Sequence, residues 1–254
     1  MTRRRLSGFT AFTGLAVGLL LAGQTPAQEP KQDPKASTGQ AGEVVPAPFR
    51  AFLVADGRFP PKVSPPTKAE DRDPRDRTRK MHDLVGENGL SPVVAVFVRA
   101  DPGELANSGL LKLVEAVEEK IPKYRADKLA AFVQFLRIEG MAKSVTLTNP
   151  DGTTKVVALD AEFPDDENRD KHADAVQQLA NKVKAPNVPF GLAPAAGKTA
   201  AAWGLKAEDQ VTVVIYSRLR VAKRWTFPAT GPTDEQVAEI VKETEAMIAE
   251  IGSK

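Results

Sequence analysis

Apolar positions along the chain change period several times, and each change marks an element. Residues 93–98, Val-Val-Ala-Val-Phe-Val, form an unbroken apolar run of strand length, and a run without alternation suits a strand covered on both faces. Asp101-Pro102-Gly103-Glu104 comes next, offering a capping residue, a proline at the first helical position and a glutamate at the third. That pattern predicts a helix starting there. Leu110, Leu111, Val114, Val117 and Ile121 then recur at helical spacing until Pro122. Residues 130–136 read as a second strand one helix away, as a parallel crossover requires.

Further on, residues 145–148 and 155–159 flank Asn149-Pro150-Asp151-Gly152 and predict an inserted hairpin. A helix over 171–183 places Ala173, Val176, Leu179, Ala180 and Val183 on one face. Residues 211–216 and 220–227 predict an antiparallel strand pair across a short polar turn. Thr233 with Gln236 caps a closing amphipathic helix that carries Val237, Ile240, Val241, Ile248 and Ile251. Upstream of this core, residues 49–54 form a short apolar strand ending at Asp56-Gly57. Residues 60–80, with acidic and basic positions interleaved, read as a solvated loop. The order of elements demands a mixed sheet with helices on both faces, an α/β fold.

From residue 92 to 251 this order resembles the thioredoxin-like superfamily. Val188-Pro189-Phe190, the stretch Lys198-Thr199-Ala200-Ala201-Ala202-Trp203-Gly204-Leu205 and the terminal strand pair are similar to its peroxiredoxin and TlpA-like branch. The resemblance implies a three-layer α/β/α sandwich with a mixed central sheet and an inserted hairpin. In thioredoxins a Cys-x-x-Cys stands where the first core helix begins, because the helix N-terminus lowers the thiol pKa. Matched to that motif, Asp101 and Glu104 fall at the two cysteine positions. Carboxylates cannot attack a disulfide or a peroxide. The family's cis-proline also has no counterpart, since the approach to the third core strand reads Asp209-Gln210-Val211-Thr212.

Composition sharpens the picture. The 254-residue chain contains no cysteine, which excludes thiol–disulfide exchange, thiol peroxidase chemistry and disulfide staples. Arg3-Arg4-Arg5, the uncharged stretch from Leu6 to Leu21 and the small residues ending at Ala27 have the three-part grammar of a signal peptide over residues 1–27. The apolar core of that leader is short for a membrane-spanning helix. Thr2-Arg3-Arg4-Arg5-Leu6 also approximates a twin-arginine signal, which implies export of a folded domain. Export to the periplasm or the medium is therefore expected. Residues 28–48 read as a disordered linker, 49–90 as an extension packing on or preceding the core, and 91–254 as the thioredoxin-like domain. Formal charge is only +2 before three leader arginines are removed, so neither nucleic acid nor an anionic membrane is an expected partner.

Other constellations give little chemistry. Gly191 and Gly197 before Lys198-Thr199 are separated by one residue too many for a phosphate loop, and read as a plain turn into a helix. His82 and His172 lie far apart in sequence, which argues against a zinc site, and each reads as solvent-exposed. Asp165-Asp166-Glu167 reads as negative charge at a helix start rather than a calcium loop. Trp203 and Trp225 sit within apolar patterns that predict packing. No cofactor motif appears. The expectation is a non-catalytic binding or structural module of the cell envelope whose partner is another envelope or secreted protein. The competing expectation is an enzyme of unknown class built on Asp101, Glu104 and His82.

Overall fold

A computed structural model describes residues 40–46, 48–58, 75–105, 108–138, 144–148, 151–158, 166–195 and 197–252. The leader at 1–27, most of the linker and the body of the 60–80 loop lie outside the described residues. Among these described residues, nine strands and five helices follow in chain order: β1 (Arg50–Ala55), β2 (Met81–Asp83), α1 (Leu84–Asn88), β3 (Val93–Val98), α2 (Gly109–Lys123), β4 (Ala130–Ile138), β5 (Ser144–Thr148), β6 (Thr154–Ala158), α3 (Asp166–Lys182), β7 (Phe190–Pro194), α4 (Lys198–Ala202), β8 (Val211–Ser217), β9 (Arg220–Phe227) and α5 (Asp234–Gly252). A 3₁₀ turn, Pro102–Leu105, lies between β3 and α2.

Seven strands form one mixed sheet in the order β2-β1-β7-β4-β3-β8-β9, while β5 and β6 pair separately. β3, β4 and β7 are mutually parallel neighbours, and β8 runs antiparallel to β3. β1 is antiparallel to both β7 and β2. The all-apolar reading of β3 is explained by position, because all six of its residues are buried in the middle of the sheet. Every residue of β8 is buried too.

One face of the sheet is packed by α2, α3 and α5 through residues such as Leu113, Val117, Val176, Leu179, Ile240 and Ile248. The other carries α1, α4, Phe49 and Trp203 over Leu53, Phe97, Phe132 and Tyr216. Each fully buried side chain of this size contributes about 1.5–3 kcal/mol. Aromatic packing locks the second face: the Phe97 ring lies 5.0 Å from Phe49 and 5.1 Å from Trp203. This is the expected three-layer α/β/α sandwich with an inserted hairpin.

Several segments differ from the sequence pattern, two of them in the sheet and its approach. β7 was not predicted as a strand, because Pro189 and Gly191 interrupt its apolar run. The tertiary structure accounts for Gly191: a Cβ there would lie 2.9 Å from the Ala51 Cβ on neighbouring β1. The end of the expected tether also has a partner, since Gly42 donates its N–H to the Val221 carbonyl at 2.8 Å and Val45 donates to Leu219 at 2.8 Å. No helix among the described residues is long and apolar enough to cross a membrane.

Candidate functional site

The carboxyl ends of parallel strands are the usual ligand-binding edge of α/β sheets, and here that edge carries Asp101 and Arg137. Asp101 lies just beyond β3 and Arg137 near the end of β4. Asp101 Oδ1 accepts the Gly103 N–H at 2.8 Å, and its Oδ2 accepts Arg137 Nη2 at 2.8 Å. Arg137 Nη1 in turn donates to the Arg99 carbonyl at 2.9 Å. His172 on α3 is held below its ordinary pKa, first by burial and then by the Arg137 guanidinium, with Asp101 opposing. The arrangement is a carboxylate spent on a guanidinium, beside an imidazole biased toward neutrality.

The expected helix start at Asp101 is not where α2 begins. Asp101 caps only the 3₁₀ turn, by the side-chain bond to Gly103, and Glu104 is an exposed residue on that turn. The α-helix starts eight residues beyond Asp101, at Gly109. Its N-cap Ser108 makes no side-chain bond to the helix amides, and its Oγ donates instead to Leu105 O at 2.8 Å. The loop after β9 takes over the capping role: Gly109 donates its N–H to Thr230 O at 2.9 Å. A Cβ on Gly109 would overlap the Pro232 carbonyl, and one on Gly231 would come within 2.6 Å of the Leu110 nitrogen. Backbone from residues 230–232 thus closes the N-terminus of the first core helix, leaving its leading amide no room to stabilise an added anion.

The proposed trio of Asp101, Glu104 and His82 is not brought together. Strand register sets Val98, Phe135, Leu192, Phe52 and Met81 side by side across the sheet. His82 follows Met81 on the far edge strand, so four strand spacings, roughly 19 Å, separate it from the strand that leads into Asp101. Nor is it a free surface residue, because its side chain is only 15% exposed. Its Nδ1 lies 2.7 Å from Glu87 Oε1 and its Nε2 lies 2.9 Å from Arg77 O. Asp83, its sequence neighbour, is engaged elsewhere and accepts the Phe49 N–H at 3.1 Å.

The mixed-charge segment ahead of His82 is likewise less solvated than its composition suggested. Asp76 is buried, and Arg77 pairs with Glu87. Asp56, fully buried at its side chain, accepts Arg58 Nε at 2.7 Å and Nη2 at 2.6 Å. These contacts fasten the described ends of the charged segment to β1 and α1.

Two further arginines escaped the sequence reading. Arg99 donates to Ala195 O at 2.8 Å and to Leu205 O at 2.9 Å, and Arg224 donates to Trp203 O at 2.5 Å and Gly204 O at 2.8 Å. Burial lowers the pKa of both guanidinium groups, and Asp209 opposes the shift in each case. Their role is to satisfy carbonyls around α4, the segment that superficially resembled a phosphate loop. The available signal was an arginine directly after the apolar run of β3 and another within β9. Among the described residues, no group of three or more histidine and acidic side chains is placed to hold a metal ion.

A sheet ordered β4-β3-β8-β9 with β8 reversed, parallel crossovers through α2 and α3, and a closing α5 define a thioredoxin-like fold, here in a chain without a cysteine. No protein-family model and no curated protein matches the chain. Solved structures similar to it include Mycobacterium tuberculosis AhpC, 12% identical over 82% of this chain and 97% of that one, with a TM-score of 0.45. A secreted Mycobacterium tuberculosis disulfide oxidoreductase homologous to Escherichia coli DsbE is 11% identical over 78% and 95%, at 0.43. An uncharacterized conserved protein from Geobacillus kaustophilus is 12% identical over 82% of each chain, at 0.46. It is the strand order of this chain that defines its fold.

Proposed function

We propose that this chain is an exported, redox-inactive thioredoxin-like module that works by binding another envelope or secreted protein. One observation carries the reading: the scaffold is complete while the place for redox chemistry is filled. The chain has no cysteine, and the N-terminus of the first core helix is closed by the Thr230 carbonyl. A helix end with its amide already engaged offers little stabilisation to a nucleophilic anion. Asp101 is engaged instead by hydrogen bonds from Arg137 and Gly103. Export is supported by the leader-like residues 1–27.

Three measurements test this. Purified protein is expected to leave insulin disulfides and hydrogen peroxide unchanged, and turnover at an enzyme-like rate would overturn the non-catalytic reading. Amino-terminal sequencing of protein from the periplasmic or culture fraction should begin at Gln28; retention of an intact leader in the cytoplasm would overturn export. A photo-crosslinking residue placed at exposed Glu104 or Asp234, tested separately in cells, should trap one defined exported protein. Absence of any specific adduct from these and from a scan of the remaining exposed positions would count against a binding role.

A further inference from the structure

We draw no further inference here: the strongest candidate, the two-stranded β5–β6 ribbon inserted between β4 and α3, carries nothing because no contact among the described residues shows what covers it.

Discussion

Gln134 is the residue least at ease in this fold. It is fully buried at the centre of β4, between Phe97 and Gly191, and neither of its amide atoms has a hydrogen-bond partner among the described residues. An unsatisfied buried polar group costs about 1–3 kcal/mol. Gln134→Met keeps the length of the side chain while removing both orphan groups, so it should stabilise the protein by about that amount. The expected readout is a higher urea midpoint at unchanged slope. An unchanged or lower midpoint would mean that an internal water already serves the amide.

His172 makes a second residue-scale prediction, this one in pH. Its pKa is lowered from the ordinary 6.5 by burial, with Arg137 and Lys171 acting in the same direction and Asp101 against them. The unfolded chain therefore binds the proton more tightly than the folded one. Stability is complete above 6.5 and declines as pH falls from that value toward the lowered folded pKa. His172→Gln should flatten this part of the profile when urea midpoints are compared between about pH 7 and pH 5. A variant with the wild-type acid slope would remove His172 as the cause.

At the scale of elements, α2 shows why some boundaries were legible and others were not. Its apolar face was readable, since Leu110, Val114 and Val117 are buried as their spacing predicts. Its start was not, because Asp101 satisfies every local rule for a cap and the deciding contact comes from Thr230, far along the chain. α5 is the opposite case. Thr233 and Gln236 exchange bonds of 2.9 and 3.4 Å, so a local pattern sufficed. β7 was hidden because its glycine is required by a neighbour on β1, and the arginines at the strand ends became interpretable only once their carbonyl partners were placed. Of the candidate site, Asp101 was named and Arg137 was not. The pairing depends on the β3–β4 register, which no local pattern encodes. Gly109→Ala tests the closure of α2 directly. Alanine is intrinsically favoured in a helix by about 1 kcal/mol, but overlap with the Pro232 carbonyl should cost roughly 1–3 kcal/mol. We expect net destabilisation in urea unfolding, together with faster amide exchange over residues 228–233. A variant as stable as the parent would show that the loop is not packed against this helix end.

For the whole molecule, the decisive question is where the cooperative unit begins. The sequence suggested a core from residue 91, yet β1 lies inside the sheet between β2 and β7. Ala51 and Leu53 are fully buried, and Phe49 packs tilted against Phe97 and edge-on against Trp203. A fragment of residues 91–254 would escape the entropy of ordering the upstream segment. Against that gain, it would expose Phe190 and Leu192, uncover the aromatic layer around Phe97, and leave β7 as an unpaired edge. Lost burial of several large side chains at about 1.5–3 kcal/mol each rivals a typical net stability of about 5–15 kcal/mol, and an exposed apolar edge invites aggregation. The 91–254 fragment should therefore lack a cooperative urea transition and elute as aggregate, while residues 40–254 should unfold in one step by both circular dichroism and tryptophan fluorescence. Trp203 makes fluorescence a fitting probe, since it is fully buried in the layer that Phe49 completes. If the shorter fragment unfolded with the same midpoint and slope as the longer one, β1 and β2 would be an appendage to the sheet rather than part of its core.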